Sequence, residues 1–174
     1  DQDFKQHAHE IYTNPAWPEN PLFYMSITTR TDLSGAPEGC ENVFLLVPVA
    51  AGIVDTDEIK EHYFNLIMDR LESSTGEDFR SFIQVKKSYA FRDFVQDYGA
   101  FKGNAYGLAN TLLQTAILKP SCKSRKVANL FYTGQLTVPG PGVPPSLISG
   151  QVVAREVELF LEKLHKKDEQ RLPF

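Results

Sequence analysis

The sequence predicts an α+β fold, mainly because of the order of its apolar segments. Two segments rich in aromatic and β-branched residues, 22–29 and 43–49, precede a segment whose apolar residues recur at helical spacing, 55–75. A further strand, a short helix, another strand and a long helix follow towards the C-terminus. Because the first strands form a run rather than alternating strictly with helices, we expect an α+β arrangement. The 174 residues suffice for one domain or a sizeable part of a larger enzyme.

The N-terminal region predicts an extended lead-in and then an antiparallel pair of strands. Residues 1–21 are polar and contain three prolines, so we expect no regular element there. The strands at 22–29 and 43–49 flank a loop at 31–42 that is rich in glycine and proline. His7 and His9 could share one face of a strand as metal ligands, but no acid or cysteine partner is evident. We therefore interpret them as part of a solvated polar segment and predict no metal site.

The remaining elements are predicted from caps and periodicity. Asp55 can cap a helix, Glu58 completes a capping box, and Gly76 ends the helix. Its buried face comprises Ile59, Tyr63, Leu66, Ile67 and Leu71. We then expect a strand at 81–89, a short helix at 91–98, and a short strand at 129–133. The last helix begins near Pro144 or Pro145 and continues to about residue 167.

The composition is that of a globular protein, and the charge is unevenly distributed. With 42% hydrophobic and 23% charged residues the chain is not disordered, and its two distant cysteines exclude a disulfide framework. The overall net charge of −4 argues against a nucleic-acid partner. Residues 1–87 carry −8 and residues 88–174 carry +4, with no acid between Asp97 and Glu156. The second half either faces an anion, such as a phosphate, a cofactor or a lipid surface, or presents basic residues to solvent by chance.

The stretch 129–154 carries the most information about function. A strand ends at Gly134, a loop of glycine and proline follows, and a helix begins on two prolines. The positive end of that helix can accept an anion, and a stripe of small residues along it allows close approach. The same pattern is expected of a helix packed tightly on a sheet with no ligand, so both interpretations stay open. The stripe comprises Ser146, Gly150 and Ala154.

A phosphate-binding fingerprint is not present in this stretch. Gly140 and Gly142 have the spacing that opens a dinucleotide motif, but the position of the third glycine is Pro145. The prolines of the loop have no N–H group, whereas a pyrophosphate is held by successive backbone donors. The loop is therefore not a primary phosphate site.

The sequence NLFYTGQLTVPGPGVPPSLISGQVVA at 129–154 resembles the C-terminal flavin-binding signature of the bacterial-type phytoene desaturases, which are FAD-dependent carotenoid desaturases. The resemblance extends to FRDFVQDYGAFKGNAYGLANTLLQTAILKP at 91–120 and to YMSITTRTDLSGAPEGCENVFLLVPVA at 24–50. It covers roughly residues 20–165. The last of these motifs is the most specific one.

This resemblance implies a fold and a cofactor. FAD would bind a discontinuous Rossmann-like domain, whose N-terminal glycine fingerprint is not among these residues. Residues 1–120 would be part of the substrate-binding domain, and residues 121–174 would be the C-terminal FAD-binding segment. Gly134 would lie near the ribityl and pyrophosphate portion of FAD. Gln135 replaces an acid that is frequent in related amine oxidases. The residues implied to contact the cofactor are Gly134, Gln135, Gly142, Val143, Pro144 and Ser146.

The resemblance also implies an activity. The parent protein would desaturate phytoene or a related carotenoid by hydride transfer to the flavin, with no obvious general base here, and the fragment alone would be inactive. The implied tunnel residues are Phe101, Tyr106, Leu108 and Leu112. The implied partners are the carotenoid, the N-terminal half of the parent enzyme and a membrane surface, at a cytoplasmic, peripheral location. Two alternatives stay open: a related retinol saturase or carotenoid isomerase, and a non-catalytic lipid or protein interaction module.

Overall fold

The computed structural model describes residues 3–108, 111–115 and 118–169, and the chain forms two compact units, 1–104 and 105–174. The first unit contains helix α1 (Phe4–Tyr12), strands β1 (Tyr24–Ile27) and β2 (Val43–Leu46), and helices α2 (Asp57–Thr75) and α3 (Phe91–Tyr98). The second contains helix α4 (Val143–Glu169) and irregular chain. Helices combined with a small antiparallel sheet confirm the α+β class.

Helix α1 corrects the expectation of an extended lead-in. The side chain of Asp3 accepts a hydrogen bond from the backbone N–H of Lys5 at 2.8 Å and so caps the helix. The prolines that suggested an extended segment begin only after the helix has ended, at Pro15. The interpretation of His7 as solvated is also wrong, because this side chain is buried whereas His9 is exposed.

His7 joins three segments of the first unit. The backbone N–H of Leu22 donates to Nδ1 at 3.1 Å, and Nε2 lies 2.8 Å from the carbonyl oxygen of Pro48. Since Nδ1 accepts, Nε2 carries the proton and donates to Pro48. One neutral imidazole therefore satisfies two backbone groups that belong to the segments flanking β1 and β2.

We expect His7→Leu to destabilise the chain by about 1–3 kcal/mol, because it keeps the volume of the buried side chain but removes its hydrogen bonds to the N–H of Leu22 and the carbonyl of Pro48. His9→Leu, two residues away on the exposed side of α1, is the matched control and should cost less than about 0.5 kcal/mol. Urea unfolding of both variants measures the difference. Equal losses for the two variants would contradict the structural role of His7.

Strands β1 and β2 confirm the predicted antiparallel pair, although both are shorter than predicted. Tyr24 pairs with Leu46 and Ile27 with Val43. The loop between the strands is closed by Thr29, whose hydroxyl accepts from the backbone N–H of Asn42 at 3.2 Å. Because a two-stranded sheet is marginal by itself, this pair depends on the packing around it.

Helix α2 begins one residue later than the predicted cap at Asp55 implies. Thr56, not Asp55, is the N-cap, and its hydroxyl accepts from the backbone N–H of Ile59 at 3.2 Å. Gly76 ends the helix in the left-handed conformation, as predicted. Asp55 instead turns its buried carboxylate to the start of α3, where the backbone N–H of Arg92 lies 3.2 Å from Oδ1.

An aromatic cluster forms the core between α2 and α3. The ring of Trp17 packs against Tyr63 and Phe91 at centroid distances of 4.9 and 5.6 Å. Trp17 also donates from Nε1 to the carbonyl of Val54 at 2.8 Å. The hydroxyl of Tyr63 donates to the carbonyl of Pro18, and burial raises the pKa of Tyr63 to about 12, so the donor keeps its proton. The cluster thus satisfies its polar atoms while burying its rings.

Helix α3 has the predicted bounds, but the strand predicted at 81–89 is absent. Residues 83–90 form no strand, and the side chain of Val85 is 87% exposed. A strand needs the backbone of a neighbour, and in the described residues the only sheet pairs β1 with β2. Alternating Ile83 and Val85 therefore gave a strand pattern without a strand partner.

In the second unit a hairpin-like segment precedes α4. The backbone N–H of Ser124 donates to the carbonyl of Leu130 at 2.9 Å, and that of Tyr132 donates to Cys122 at 2.8 Å. The strand predicted at 129–133 is wrong, because only a single bridge, Lys123 with Phe131, forms there. Phe131 packs edge-to-face on Phe160 of α4 at a centroid distance of 5.9 Å. Helix α4 itself begins and ends close to the predicted residues.

Candidate functional site

Ser149 ties the start of α4 to the segment before it. Its side chain is fully buried, at 0% exposure, on the second turn of the helix. The hydroxyl accepts from the backbone N–H of Gly134 at 2.7 Å and donates to the carbonyl of Ser146 at 2.6 Å. The hydroxyl of Thr133 lies 2.8 Å away as a further partner. One hydroxyl therefore holds Gly134 against the first turns of α4.

Gly134 begins a tight turn that needs glycine. Its φ is +104°, and nothing lies within 4 Å of the position a Cβ would occupy. Thr137 closes the turn, because its backbone N–H and its hydroxyl donate to the carbonyl of Gly134 at 3.2 and 3.0 Å. The next residue, Val138, donates to the carbonyl of Pro120 at 3.2 Å. The turn thus leaves open space beside a rigidly bonded glycine.

The N-terminal end of α4 has a positive dipole but few hydrogen-bond donors. Pro144 and Pro145 have no N–H group, and the N–H of Ser146 donates to the carbonyl of Gly142 at 3.0 Å. Of the first four helical residues, Val143 therefore supplies the one N–H without a helical acceptor. This end of the helix can favour negative charge through its dipole, but it cannot enclose a phosphate with a ring of donors.

The loop before α4 passes over a buried lysine. Gly140 is buried, has a φ of +140°, and a Cβ at this position would stand 3.1 Å from Nζ of Lys119. Lys119 is itself only 6% exposed. The positive φ requires glycine at position 140, and the end of the Lys119 side chain packs close beside it.

The predicted cofactor contacts fall in one unit, and the predicted tunnel residues fall in two. Gly134, Gln135 and Ser146 are half-buried, whereas Gly142, Val143 and Pro144 are exposed. The bonds through Ser149 link Gly134 to Ser146, and the Ser146 N–H links the helix to Gly142. Of the tunnel residues, Phe101 lies in the first unit and Tyr106, Leu108 and Leu112 lie in the second; Leu108 is half-buried and the other three are exposed.

Sequence reasoning missed Ser149 and Lys119. A serine three residues after Ser146 on the same helix, which follows the turn beginning at Gly134, is a signal for the bond to Gly134. Nothing in the local sequence indicates that Lys119 is buried.

We expect Ser149→Ala to cost about 2–4 kcal/mol of stability, because the N–H of Gly134 and the hydroxyl of Thr133 lose their buried partner. Ser146→Ala is the matched control, since the bonds of Ser146 use its backbone, and it should cost less than about 0.5 kcal/mol. Thermal unfolding of the two variants measures the difference. A loss for Ser146→Ala as large as that for Ser149→Ala would contradict this network.

The second unit exposes much apolar surface. Leu112 and Leu113 are 88% and 81% exposed, and α4 presents a row of apolar side chains. Contiguous exposed apolar side chains usually mark contacts with another chain, a ligand or a lipid. On α4 the exposed apolar residues are Val143, Leu147, Ile148, Val152, Leu159, Leu161 and Leu164.

A cavity of the first unit has a different character. It measures about 690 Å³ and is lined by polar side chains, among them Glu10, Glu19 and Arg70. Polar and charged side chains of this kind are unsuited to binding a hydrocarbon. None of the helices in the described part of the chain combines the length and the apolar character that a membrane crossing needs.

Comparison with known proteins gives a consistent set of relatives. The chain is 43% identical over 152 residues, 87% of its length, to carotenoid 3,4-desaturase of Haloarcula japonica. It is 32% identical over 163 residues, 90% of its length, to the zeta-carotene-forming phytoene desaturase of Myxococcus xanthus. It is also 32% identical over 142 residues, 82% of its length, to 4,4'-diapolycopen-4-al dehydrogenase of Metabacillus indicus. No family model matches the chain.

The matched residues are 31%, 31% and 29% of these three relatives, so the chain spans about a third of their length. The resemblance derived from the motifs at 24–50, 91–120 and 129–154 is confirmed by these relatives. On the strength of this similarity along nearly its whole length, the chain belongs to the carotenoid desaturase family.

Proposed function

We propose that this chain is the C-terminal, flavin-contacting part of an FAD-dependent carotenoid desaturase. The observation that carries the proposal is the bond of Ser149 to Gly134 and Ser146, which joins the predicted flavin contacts on both sides of the loop. Family membership supplies the class of substrate, since several relatives are named as desaturases of carotenoids.

The residues present fit the ring and ribityl end of a flavin rather than its phosphates. Open space lies beside Gly134, and exposed apolar groups of Val143 and Pro144 lie at the start of α4. Gln135 is half-buried in the turn and has an amide that can bond a hydroxyl. The shortage of N–H donors at the helix start argues against a pyrophosphate there. We infer that the phosphates are held by a glycine fingerprint elsewhere in a Rossmann-like domain.

When bound, FAD supplies the hydride acceptor for the desaturation of a carotenoid. The residues of this chain would orient the reacting groups and exclude water from them. The positive end of α4, with the N–H of Val143, stabilises negative charge beside it. The bonds of Thr137 and Ser149 keep the turn at Gly134 in one conformation, so little reorganisation is needed when charge develops.

The polyene would be held by apolar and aromatic side chains. Tyr106 and Leu112 are exposed in the second unit. Exposed apolar side chains at these positions suit a long hydrocarbon, which offers no hydrogen-bonding groups. They exclude water once substrate covers them. No side chain of the described residues is assigned as a general base.

The exposed apolar side chains of α4 form a surface on which another part of a protein can pack. We propose that it packs against the N-terminal half of the parent enzyme, which would complete the FAD domain. The exposed basic residues Lys123, Arg125 and Lys126 would face a membrane surface, from which a carotenoid is drawn. On this proposal the isolated chain binds FAD weakly or not at all and is inactive.

One observation favours a second candidate reaction. A relative at 32% identity is named as a dehydrogenase of a carotenoid aldehyde, so the reaction at the polyene end can differ within the family. The chemistry shared by both candidates is oxidation of a carotenoid.

The proposal is tested on the full-length protein that carries these 174 residues. We expect it to retain FAD after purification and to convert phytoene to a more conjugated product, detected by absorbance and mass. Two parallel assays replace phytoene with a carotenoid aldehyde or with retinol. Retention of FAD with reaction only on the aldehyde would favour the second candidate, and reaction only on retinol would favour a saturase. A full-length protein without flavin, or stoichiometric FAD on the isolated chain, would contradict the proposal.

A further inference from the structure

Strands β1 and β2 form a ribbon with apolar side chains on both of its faces. Residues that lie opposite each other across an antiparallel pair point to the same face of the sheet. One face of the ribbon comprises Met25, Ile27, Val43 and Leu45. The other face comprises Tyr24, Ser26, Phe44 and Leu46.

Solvent reaches apolar side chains on each of these faces. Met25 and Val43 on the first face are 42% and 49% exposed, and Tyr24 and Phe44 on the second are 59% and 51% exposed. An antiparallel sheet with one solvated side normally has one apolar and one polar face. The ribbon instead has the pattern of strands on which other elements pack from both sides.

The two edges of the ribbon are unprotected as well. In the described part of the chain the sheet contains only β1 and β2, so each strand is an edge strand. Edge strands that face solvent are commonly protected by charged residues, proline or a bulge, because their unpaired N–H and C=O groups accept another strand. The residues of β1 and β2 include no charged residue, proline or glycine.

These features favour a polypeptide as the group that covers the ribbon. A polyene or a lipid chain can cover apolar side chains, but it has no groups that pair with the N–H and C=O groups of an edge. The loop between the strands carries three acids, Asp32, Glu38 and Glu41, and no base, which disfavours an anionic lipid surface.

The length of the relatives indicates which polypeptide this is. The matched residues are 31% of the desaturases of Haloarcula japonica and Myxococcus xanthus. In a full-length parent of that size, about two thirds of the polypeptide is tethered to the ribbon. A tethered strand is present at a higher effective concentration than a strand of a second molecule.

We propose that β1 and β2 are interior strands of a larger sheet, completed by at least one strand from the rest of the full-length parent. The inference rests on that part of the proposed function that places this chain in a longer enzyme. The added strand pairs the backbone groups of an edge, and further elements cover both faces. Since a two-stranded ribbon is marginal by itself, this addition stabilises the first unit.

Hydrogen–deuterium exchange of the full-length protein, followed by mass spectrometry, tests this sheet. The protein is monomeric and free of phytoene and lipid, and its FAD content is measured by absorbance in the same sample. Nearly all amides of Tyr24–Ile27 and Val43–Leu46 should exchange at least about a hundredfold more slowly than in an unstructured peptide. In a ribbon without further strands only about half would be protected, because alternate amides point away from the partner strand.

Two variants of the full-length protein accompany the exchange measurement. Val43→Lys places a charge on a face that the proposal covers, so it should lower the midpoint of thermal unfolding and speed exchange in both strands. Leu33→Lys, at an 86% exposed position in the loop between the strands, is the matched control and should change neither. Equal effects of the two variants would contradict the proposal.

The outcomes separate this inference from the proposed function. Protection of only half of the amides, with FAD retained, overturns the larger sheet and leaves the proposed function intact. Protection that appears only in a dimer assigns the ribbon to a second copy, and protection only with phytoene or with phosphatidylserine vesicles assigns it to a ligand or a lipid; each overturns the inference. Full protection in a protein without FAD supports the sheet and contradicts the proposed function.

Discussion

Replacing Gly103 with alanine is expected to cost about 3–5 kcal/mol, enough to unfold much of the first unit. A Cβ at this position would stand 2.6 Å from Cβ of Phe91 and 2.7 Å from its Cα and carbonyl oxygen. Backbone atoms at the start of α3 cannot move aside without disrupting the helix. The φ of +64° adds the strain that any side chain has in the left-handed region.

Gly99→Ala is the matched control for this change. Gly99 ends α3 with a φ of +60°, and a Cβ there would meet nothing within 4 Å. The two glycines share the backbone strain and differ in the close approach, so Gly99→Ala should cost only about 1–2 kcal/mol. Chemical unfolding of both variants gives the difference. Equal losses would show that Phe91 does not crowd Gly103.

The second large effect is expected at Asp55. Its side chain is 2% exposed and accepts from the N–H of Arg92, with Nζ of Lys60 at 3.7 Å. Asp55→Asn keeps the shape but leaves these donors without a carboxylate, so we expect a loss of about 3–5 kcal/mol. Asp93 does not replace it, although it accepts from Nζ of Lys60 at 2.6 Å, and this hydrogen bond holds its pKa below the usual range.

Asp57→Asn tests whether burial decides the size of the effect. Asp57 also binds Arg92, at 2.6 Å, but its side chain is 84% exposed. Exposed ion pairs contribute about 0–1 kcal/mol, so this variant should be nearly neutral. Urea unfolding at neutral pH compares the two changes. If Asp55→Asn left the free energy of unfolding unchanged, the claim that this carboxylate joins the starts of α2 and α3 would be contradicted.

The residues at the helix ends predicted the helices well. The strands depend on contacts between distant segments, which the local sequence does not specify. Gly76 and the proline pair at 144–145 act on their own helix ends, so α2, α3 and α4 were found close to their bounds. The strands at 81–89 and 129–133 were wrong because a strand depends on a partner that its own residues do not specify. Helix α1 was missed because three later prolines outweighed the cap at Asp3.

The same distinction applies to the site. Glycine and proline residues in the sequence predict the turn at Gly134 and the helix start at Val143. The bond that joins them passes through Ser149, fifteen residues after Gly134, and depends on tertiary packing. The burial of Lys119 against Gly140 is likewise a contact between segments that the sequence keeps twenty-one residues apart.

The most direct test of the flavin-contacting role is a single anaerobic turnover of the full-length protein. With oxygen excluded, mixing the FAD-loaded protein with phytoene should bleach the absorbance of oxidised flavin and form one new conjugated double bond per flavin reduced. The Ser149→Ala variant should lose flavin or slow the bleaching. Formation of the conjugated product with the flavin spectrum unchanged would contradict the proposed function.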